Sequence, residues 1–367
     1  MANFILDRRR FLAGASGAAL AAALPRRGRA ADGLTVGMIY VGPKDDFGWN
    51  QAHAVGAATM KAIPGVTVVE EENVPETANV VKTIESMIEL EGAKLIFGTS
   101  FGYFNPFMVD MAKKYPDVVF RHPTTLWSAD KHPMNLGGYF GYIEQAHYVN
   151  GIAAGLSTKA NKIGFVAAKP LSIVLRNINA FTIGARKVNP AVTVQLIMTG
   201  DWSLPVREAE STNALIDAGC DVIACHVDSP KVVVKTAEGR GVKTCGHNAD
   251  QSPLAPNGFI TGAELNWGAV YKSYAEMMLK GETPPNLLEG GYDKGLIAST
   301  AFGAGASDAA RKAATEAIAA VTGGAPIYVG PIKDNKGKLV IPATLGLYDP
   351  SLWAMDYLVE GVAGSTI

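Results

Sequence analysis

The sequence predicts an α/β protein of two lobes, each a doubly wound and mainly parallel sheet, joined by crossover strands. Three observations predict it. Short apolar runs alternate with stretches of helical period, the pattern of strand-helix-strand units. A long helical stretch at residues 144–159 interrupts the alternation, which then restarts. Beyond its first 31 residues the chain still holds about 336, more than one core ordinarily serves.

The first 31 residues read as an export signal. Asp7-Arg8-Arg9-Arg10-Phe11-Leu12 leads into a small and apolar run from Leu12 to Leu24, and Ala30-Ala31 fits a cleavage site. The run stops at Pro25, short of the roughly 20 residues a spanning helix needs. Two arginines, any residue and then Phe-Leu resemble the twin-arginine signal, with Asp7 where that pattern has Ser or Thr. No cysteine precedes Cys220, so a lipid-attachment site is not expected. The expected location is the periplasm, as a free soluble protein.

The first lobe is expected over residues 32–145. Its strands are Leu34 to Val41, Val66 to Glu70, Lys94 to Gly98 and Val118 to Arg121, and its helices cover 51–63, 79–91 and 106–115. The second lobe is expected over 146–254, with strands at Lys162 to Ala167, Thr193 to Met198, Asp221 to His226 and Val242 to Cys245. Residues 255–290 are expected to complete the first lobe, 291–345 the second, and 346–367 to form a C-terminal segment. Two helices, at 268–279 and 308–321, and a hairpin-like turn at Asp334-Asn335-Lys336-Gly337 belong to these parts. Ligands of such sheets lie beyond the carboxyl ends of the strands, so the loops there are where function is expected.

Charge and cysteine usage exclude some functions. Removing residues 1–31 takes away six of the 33 basic and one of the 34 acidic side chains, which leaves a net of minus six. A nucleic-acid partner wants a clustered basic face, and none is expected here. Cys225-His226 and Cys245-Gly246-His247 suggest metal ligands, but successive strand residues face opposite sides of a sheet. Buried thiols are the expected reading, with no metal and no cofactor.

The loop Gly42-Pro43-Lys44-Asp45-Asp46-Phe47-Gly48-Trp49-Asn50-Gln51 ends where a helix begins. Trp49 in this loop and Trp202 in Thr199-Gly200-Asp201-Trp202-Ser203 each follow a strand, in opposite lobes. Two large rings so placed can sandwich a flat ligand, and base-aromatic stacking is worth about 1–3 kcal/mol per base. Asn50 has an amide that donates and accepts, and it also suits a helix N-cap. Asp250 is a second polar candidate or a plain turn residue, and Asp228, after the strand ending at His226, is a third.

Asp46-x-x-Trp49-Asn50-Gln51 resembles the D-x-x-F-N-Q signature of the basic membrane protein (Bmp) family, purine-nucleoside receptors of ABC importers. Gly141-Tyr142-Ile143-Glu144-Gln145, Val149-Asn150-Gly151-Ile152-Ala153-Ala154-Gly155, Ile163-Gly164-Phe165-Val166 and Gly219-Cys220-Asp221-Val222-Ile223 are similar to later segments of that family. So is Phe181-x-x-Gly184-Ala185 with Asn189-Pro190. The resemblance implies a type I periplasmic binding protein, with a purine-like ligand between the lobes and ABC permease subunits as partners. The protein is expected to be a monomer.

In that family an aromatic from each lobe holds the base, which the resemblance places at Trp49 and Trp202. It likewise implies that Asn50 faces the ligand and that Asp250 faces the sugar. The chain also departs from the pattern. Arg121-His122-Pro123-Thr124 stands where the family has an acidic residue that reads the base, and Glu264 where it has a sugar-binding lysine. His122 then becomes a reader of a purine carbonyl or ring nitrogen, and Trp267 is expected to fill the volume ribose needs. A free base is expected to bind better than its nucleoside.

Gly98-Thr99-Ser100-Phe101-Gly102 is a G-x-S-x-G string between a strand and a helix, the context of a hydrolase nucleophile elbow. Only two strands precede it, whereas that elbow lies deeper in its sheet. Ser100, Phe101 and Gly102 are therefore expected to bind ligand rather than to catalyse. A soluble sensory receptor is the third alternative.

Overall fold

A computed structural model describes residues 33–366, and the export signal expected at residues 1–31 lies outside them. The first half runs β1 (Leu34–Ile39), α1 (Trp49–Lys61), β2 (Val66–Glu71), α2 (Asn79–Glu89), β3 (Leu95–Gly98), α3 (Val109–Lys114), β4 (Val119–His122), β5 (Leu136–Gly141), α4 (Glu144–Gly155) and β6 (Lys162–Ala167). Next come α5 (Ser172–Val188), β7 (Thr193–Met198), α6 (Pro205–Asp217), β8 (Val222–His226), α7 (Lys231–Gly239), β9 (Lys243–Asn248) and β10 (Phe259–Leu265). The chain ends with α8 (Trp267–Leu279), β11 (Leu287–Gly290), β12 (Ile297–Ser299), α9 (Asp308–Thr322), β13 (Ile332–Lys333), β14 (Leu339–Ile341) and β15 (Val362–Ala363).

Two sheets carry the two lobes. The first has the order β11-β5-β4-β3-β1-β2 and the second β12-β10-β9-β8-β6-β7-β15. Every pairing in the first is parallel, and in the second only β12 against β10 is antiparallel. Each sheet reverses its winding between its first and third strands, β1 and β3 in one lobe, β6 and β8 in the other. Loops diverge at such a switch point and leave a crevice beyond the strand ends. The loops after β1, β3, β6 and β8 are thereby the walls of a site.

The chain crosses between lobes three times: from β5 to α4, from β10 to α8, and from β11 to β12. The crossings are stitched side by side, Tyr142 donating its backbone N–H to Gly290 and Asn266 to Leu296, both at 2.9 Å.

α4 is buried over all twelve residues. Its polar side chains therefore need partners inside the protein. Glu144 forms a buried ion pair with Arg176, and Asn150 donates to the Gly246 carbonyl at 3.0 Å. Backbone approaches backbone against α5: a Cβ at Gly151 would lie 2.0 Å from the Phe181 oxygen, and one at Gly184 2.1 Å from that of Tyr148.

Three expected boundaries move. Residues 255–290 do not all return to the first lobe, because β10 pairs with β9 in the second sheet and only α8 and β11 go back. The helix expected at 106–115 divides into a wide helical turn at Phe104–Met108, broken at the non-helical Asn105 (φ −123°, ψ 125°), and the regular helix Val109–Lys114. The C-terminal segment joins the second sheet through β15 beside β7. Its Trp353 also packs on Phe140 of β5, with ring centroids 5.1 Å apart.

Candidate functional site

The loop after β1 is shaped by Asp46. Its carboxylate accepts from the backbone N–H groups of Gly48 (2.8 Å), Asn50 (2.9 Å) and Gln51 (2.9 Å), and from the Asn50 side-chain amide at 2.8 Å. The Asn50 oxygen accepts from Gly42 N–H at 3.1 Å. Both residues are buried. Asp46 and Asn50, expected to meet a ligand, turn instead into their own loop and start α1. Burial raises the Asp46 carboxyl, although the N–H groups it binds pull it down.

That bracing presents Trp49, half-buried at the start of α1. Its indole N–H donates to the Thr99 carbonyl at 2.6 Å, and its ring meets His53 edge-on with centroids 4.7 Å apart. His53 lies one helical turn beyond Trp49 and so shares its face.

In the loop after β3, Ser100 and Gly102 have protein partners while the Phe101 side chain stays free for contact. Ser100 Oγ donates to Glu76 at 2.5 Å, and the Gly102 N–H donates to the same oxygen at 2.7 Å. Phe101 is 57% exposed. His122, expected to read a purine, is fully buried: Nε2 binds the Ser100 carbonyl oxygen at 2.7 Å and Nδ1 binds Thr124 Oγ1 at 2.8 Å. With both ring nitrogens engaged, it positions the loop. Trp267, expected in the ligand volume, is buried in the core of the first lobe, stacked on His53 at 5.3 Å. The switch from β10 to α8 turns it there.

In the second lobe Trp202 follows β7, half-buried, with Lys169 over its ring at 5.6 Å and Lys169 paired to Asp201 at 2.8 Å. Asp228 links the two tryptophans through the main chain. Its N–H donates to the Trp202 oxygen at 2.8 Å, and its oxygen accepts from Trp49 N–H at 2.9 Å. Its carboxyl has no protein partner among the described residues. Burial, then the charges of Asp46, Glu76 and Glu208, hold that carboxyl well above the usual range, with only Lys169 opposing. A protonated acid both donates and accepts.

Glu264, at the end of β10 in register with Asn248, is half-buried and raised by burial and then by Asp250. Asp250 itself is exposed and accepts from Ser252 N–H at 2.8 Å, which is its turn role.

Two residues weighed from the sequence only as metal ligands, His226 and His247, lie next to each other, and His226 lies next to Trp202. His226 ends β8 with Nδ1 against the Asn177 amide at 2.8 Å, its ring 4.2 Å from that of His247 and 6.1 Å from that of Trp202. Burial lowers it to about 3, so it is neutral. His247 in turn meets His147 of α4 at 2.9 Å. Among the described residues no group of His, Cys, Asp and Glu is arranged to hold a metal ion. Glu76 was missed entirely, since nothing in its local sequence distinguishes it from the glutamates at 70–72.

Residues 34–298 match the family described as ABC transporter substrate-binding protein, PnrA-like (Bmp). A purine-binding protein of Brucella abortus is 35% identical over 90% of this chain and 93% of its own length. A putative ABC transporter glucose-binding protein of Haloferax volcanii is 33% identical over 70% of this chain and 64% of its own. A solute-binding protein structure from Conexibacter woesei superposes with a TM-score of 0.67 at 22% identity, over 79% of this chain and 96% of that one. That likeness shows the fold, a type I-like two-lobed α/β architecture.

Proposed function

The chain belongs to the Bmp family of ABC transporter substrate-binding proteins, and from that membership we propose that it binds a free purine base, or a related flat heterocycle, between Trp49 and Trp202. The observation that carries the reading is Asp228. It is hydrogen-bonded through its main chain to both tryptophans, while its own carboxyl has no protein partner among the described residues and is held by burial well above the ordinary carboxyl range. A carboxylic acid offers a donor beside an acceptor, which complements the acceptor-donor edge that adenine presents through N7 and its amino group. His226 adds a neutral ring beside Trp202.

Glu264 supports the preference for a base. Where ribose hydroxyls would want a mixed set of partners, a half-buried carboxyl near Asp250 supplies another acidic group. Calorimetric titration with adenine, hypoxanthine, guanine and xanthine against the matching nucleosides, with glucose included for the sugar alternative, tests it. We expect the bases to bind tighter. Consistently tighter nucleosides, or glucose alone, would overturn the reading.

We read the protein as a binding protein without catalysis of its own, since Ser100 Oγ donates to a carboxylate and the nearby imidazole binds the Ser100 carbonyl oxygen. Asp46, Asn50, Ser100, Gly102 and His122 act in this reading by holding loops, while Trp49, Trp202, His226, Asp228 and Glu264 face the ligand. The proposed location is the periplasm, as a monomer delivering to an ABC permease, reached by the twin-arginine route. Among the described residues no helix is long and apolar enough to cross a membrane. Replacing Arg8 and Arg9 together by Lys should leave the precursor in the cytoplasm, and normal periplasmic accumulation would refute that route.

A further inference from the structure

The loop after β1 does more than present Trp49. Its tip, Phe47, has a left-handed backbone (φ +57°), a conformation bulky side chains rarely adopt without something to hold them there. The holding groups lie partly in the first lobe, where Phe47 N–H donates to Gln51 Oε1 at 3.1 Å. The rest lie in the second. The Phe47 ring packs on Val234, Leu254, Ala255 and Phe259, with the Lys231 ammonium 5.5 Å from its centroid. Gln251 donates its amide to the Phe47 carbonyl at 2.6 Å, and Ser229 donates its hydroxyl to the Asp46 carbonyl at 3.0 Å. At Gly48 the fit leaves no room for a side chain: an added Cβ would lie 2.0 Å from the Asp228 oxygen.

From these contacts we infer that Phe47 and Gly48 form a latch between the lobes, and that they set affinity without touching the ligand. Phe47 is the tongue, and the apolar pocket between α7 and the loop after β9 is its socket. Gly48 is the clearance that lets the Trp49 N–H reach Asp228. One strand of chain then joins three events: Phe47 seats, Trp49 N–H closes on Asp228, and the Trp49 ring comes to the ligand from its own side. A ligand that favours the seated form is held by the latch energy as well as by its own contacts. Gln251 extends the link into the second lobe, since it also bonds both the N–H and the carbonyl of His247.

The inference rests on the binding role but not on the ligand's identity, and the test separates the two. Stopped-flow binding of adenine to the parent, Phe47→Ala, Phe47→Leu and Gly48→Ala gives the rates. Cysteines placed at the exposed Lys82 and Lys235, one on each lobe, carry spin labels that report the interlobe distance; the native cysteines are buried. Phe47→Ala should speed dissociation by about tenfold or more and change association by less than about threefold, because latches act mainly on the off-rate. Phe47→Leu should recover most of the loss, and Gly48→Ala should lose the short-distance population while keeping its circular dichroism. Unchanged dissociation in both Phe47→Ala and Gly48→Ala would overturn the latch. If the parent binds no adenine, the ligand reading fails and the distances still decide: an unaltered short-distance fraction in Phe47→Ala overturns the latch.

Discussion

Trp49 and Trp202 reach the site by different means, and the difference shapes what their loss should do. Trp49 is held within its own lobe by its indole N–H on Thr99, and across the lobes by its backbone N–H on Asp228. Trp202 is backed by the apolar cores of the second lobe and covered by Lys169. Trp→Ala at either position should weaken adenine binding by about 1–3 kcal/mol, and adenine should quench tryptophan fluorescence in the parent. Calorimetry showing both variants binding like the parent would end the sandwich. Most of the polar residues expected beside them are engaged elsewhere. Sequence revealed that Asp46, Asn50, Ser100 and His122 lie at strand ends; it could not reveal that each has a protein partner already, because those partners depend on folded geometry.

The element that most constrains the second lobe is the pair α4 and α5. Alanine is a better helix former than glycine by about 1 kcal/mol, so Gly184→Ala would be stabilising if propensity decided. Space decides instead. The new Cβ would meet the Tyr148 oxygen at 2.1 Å, and backbone atoms cannot step aside as a side-chain tip can. Separating the helices also disturbs the Arg176 and Glu144 pair, whose charges are both buried. We expect Gly184→Ala to destabilise by about 1–3 kcal/mol, read as a lower urea midpoint, and an unchanged or higher midpoint would show that the helices can yield. The G-x-x-x-G spacing of Gly151 and Gly155 is plain in the sequence, but its facing partner, α5, was not anticipated as an element.

At the scale of the whole molecule, acid should undo the fold through its histidines. Five of the six are buried: His53, His122, His147, His226 and His247. Burial lowers His226 to about 3 and His122 to about 4, and it lowers the other three well below the ordinary value. Unfolded histidine takes up its proton near pH ~6.5, so below that the unfolded chain binds protons the folded one refuses. Their stabilising share is whole above about 6.5 and lost as pH falls from there towards 4, by up to about 1.4 kcal/mol per pH unit for each. Asp228 works the other way. Its raised carboxyl stabilises at low pH and loses that share as pH rises through its folded value. Asp46, Glu208 and Glu264 are raised less and oppose less. Five groups outweigh them, and the urea midpoint should fall between pH 7 and pH 5. A flat midpoint across that range would contradict the burial of these rings.

Periodicity alone determined that this chain alternates strands with helices, that the alternation restarts after residue 159, and that Trp49 and Trp202 sit in loops at strand ends. Those are properties of short windows, because side-chain direction repeats every two residues in a strand and every 3.6 in a helix. Only the tertiary structure decided which polar groups remain free. Ser100 is taken by Glu76, 24 residues away, and the Phe47 carbonyl by Gln251, 204 residues away. A hydrogen bond satisfies a group regardless of chain distance, and no local pattern records it. The identity of β10 as a strand of the second lobe and the inward turn of Trp267 were likewise settled by packing, since an apolar run fits either lobe until its neighbours choose.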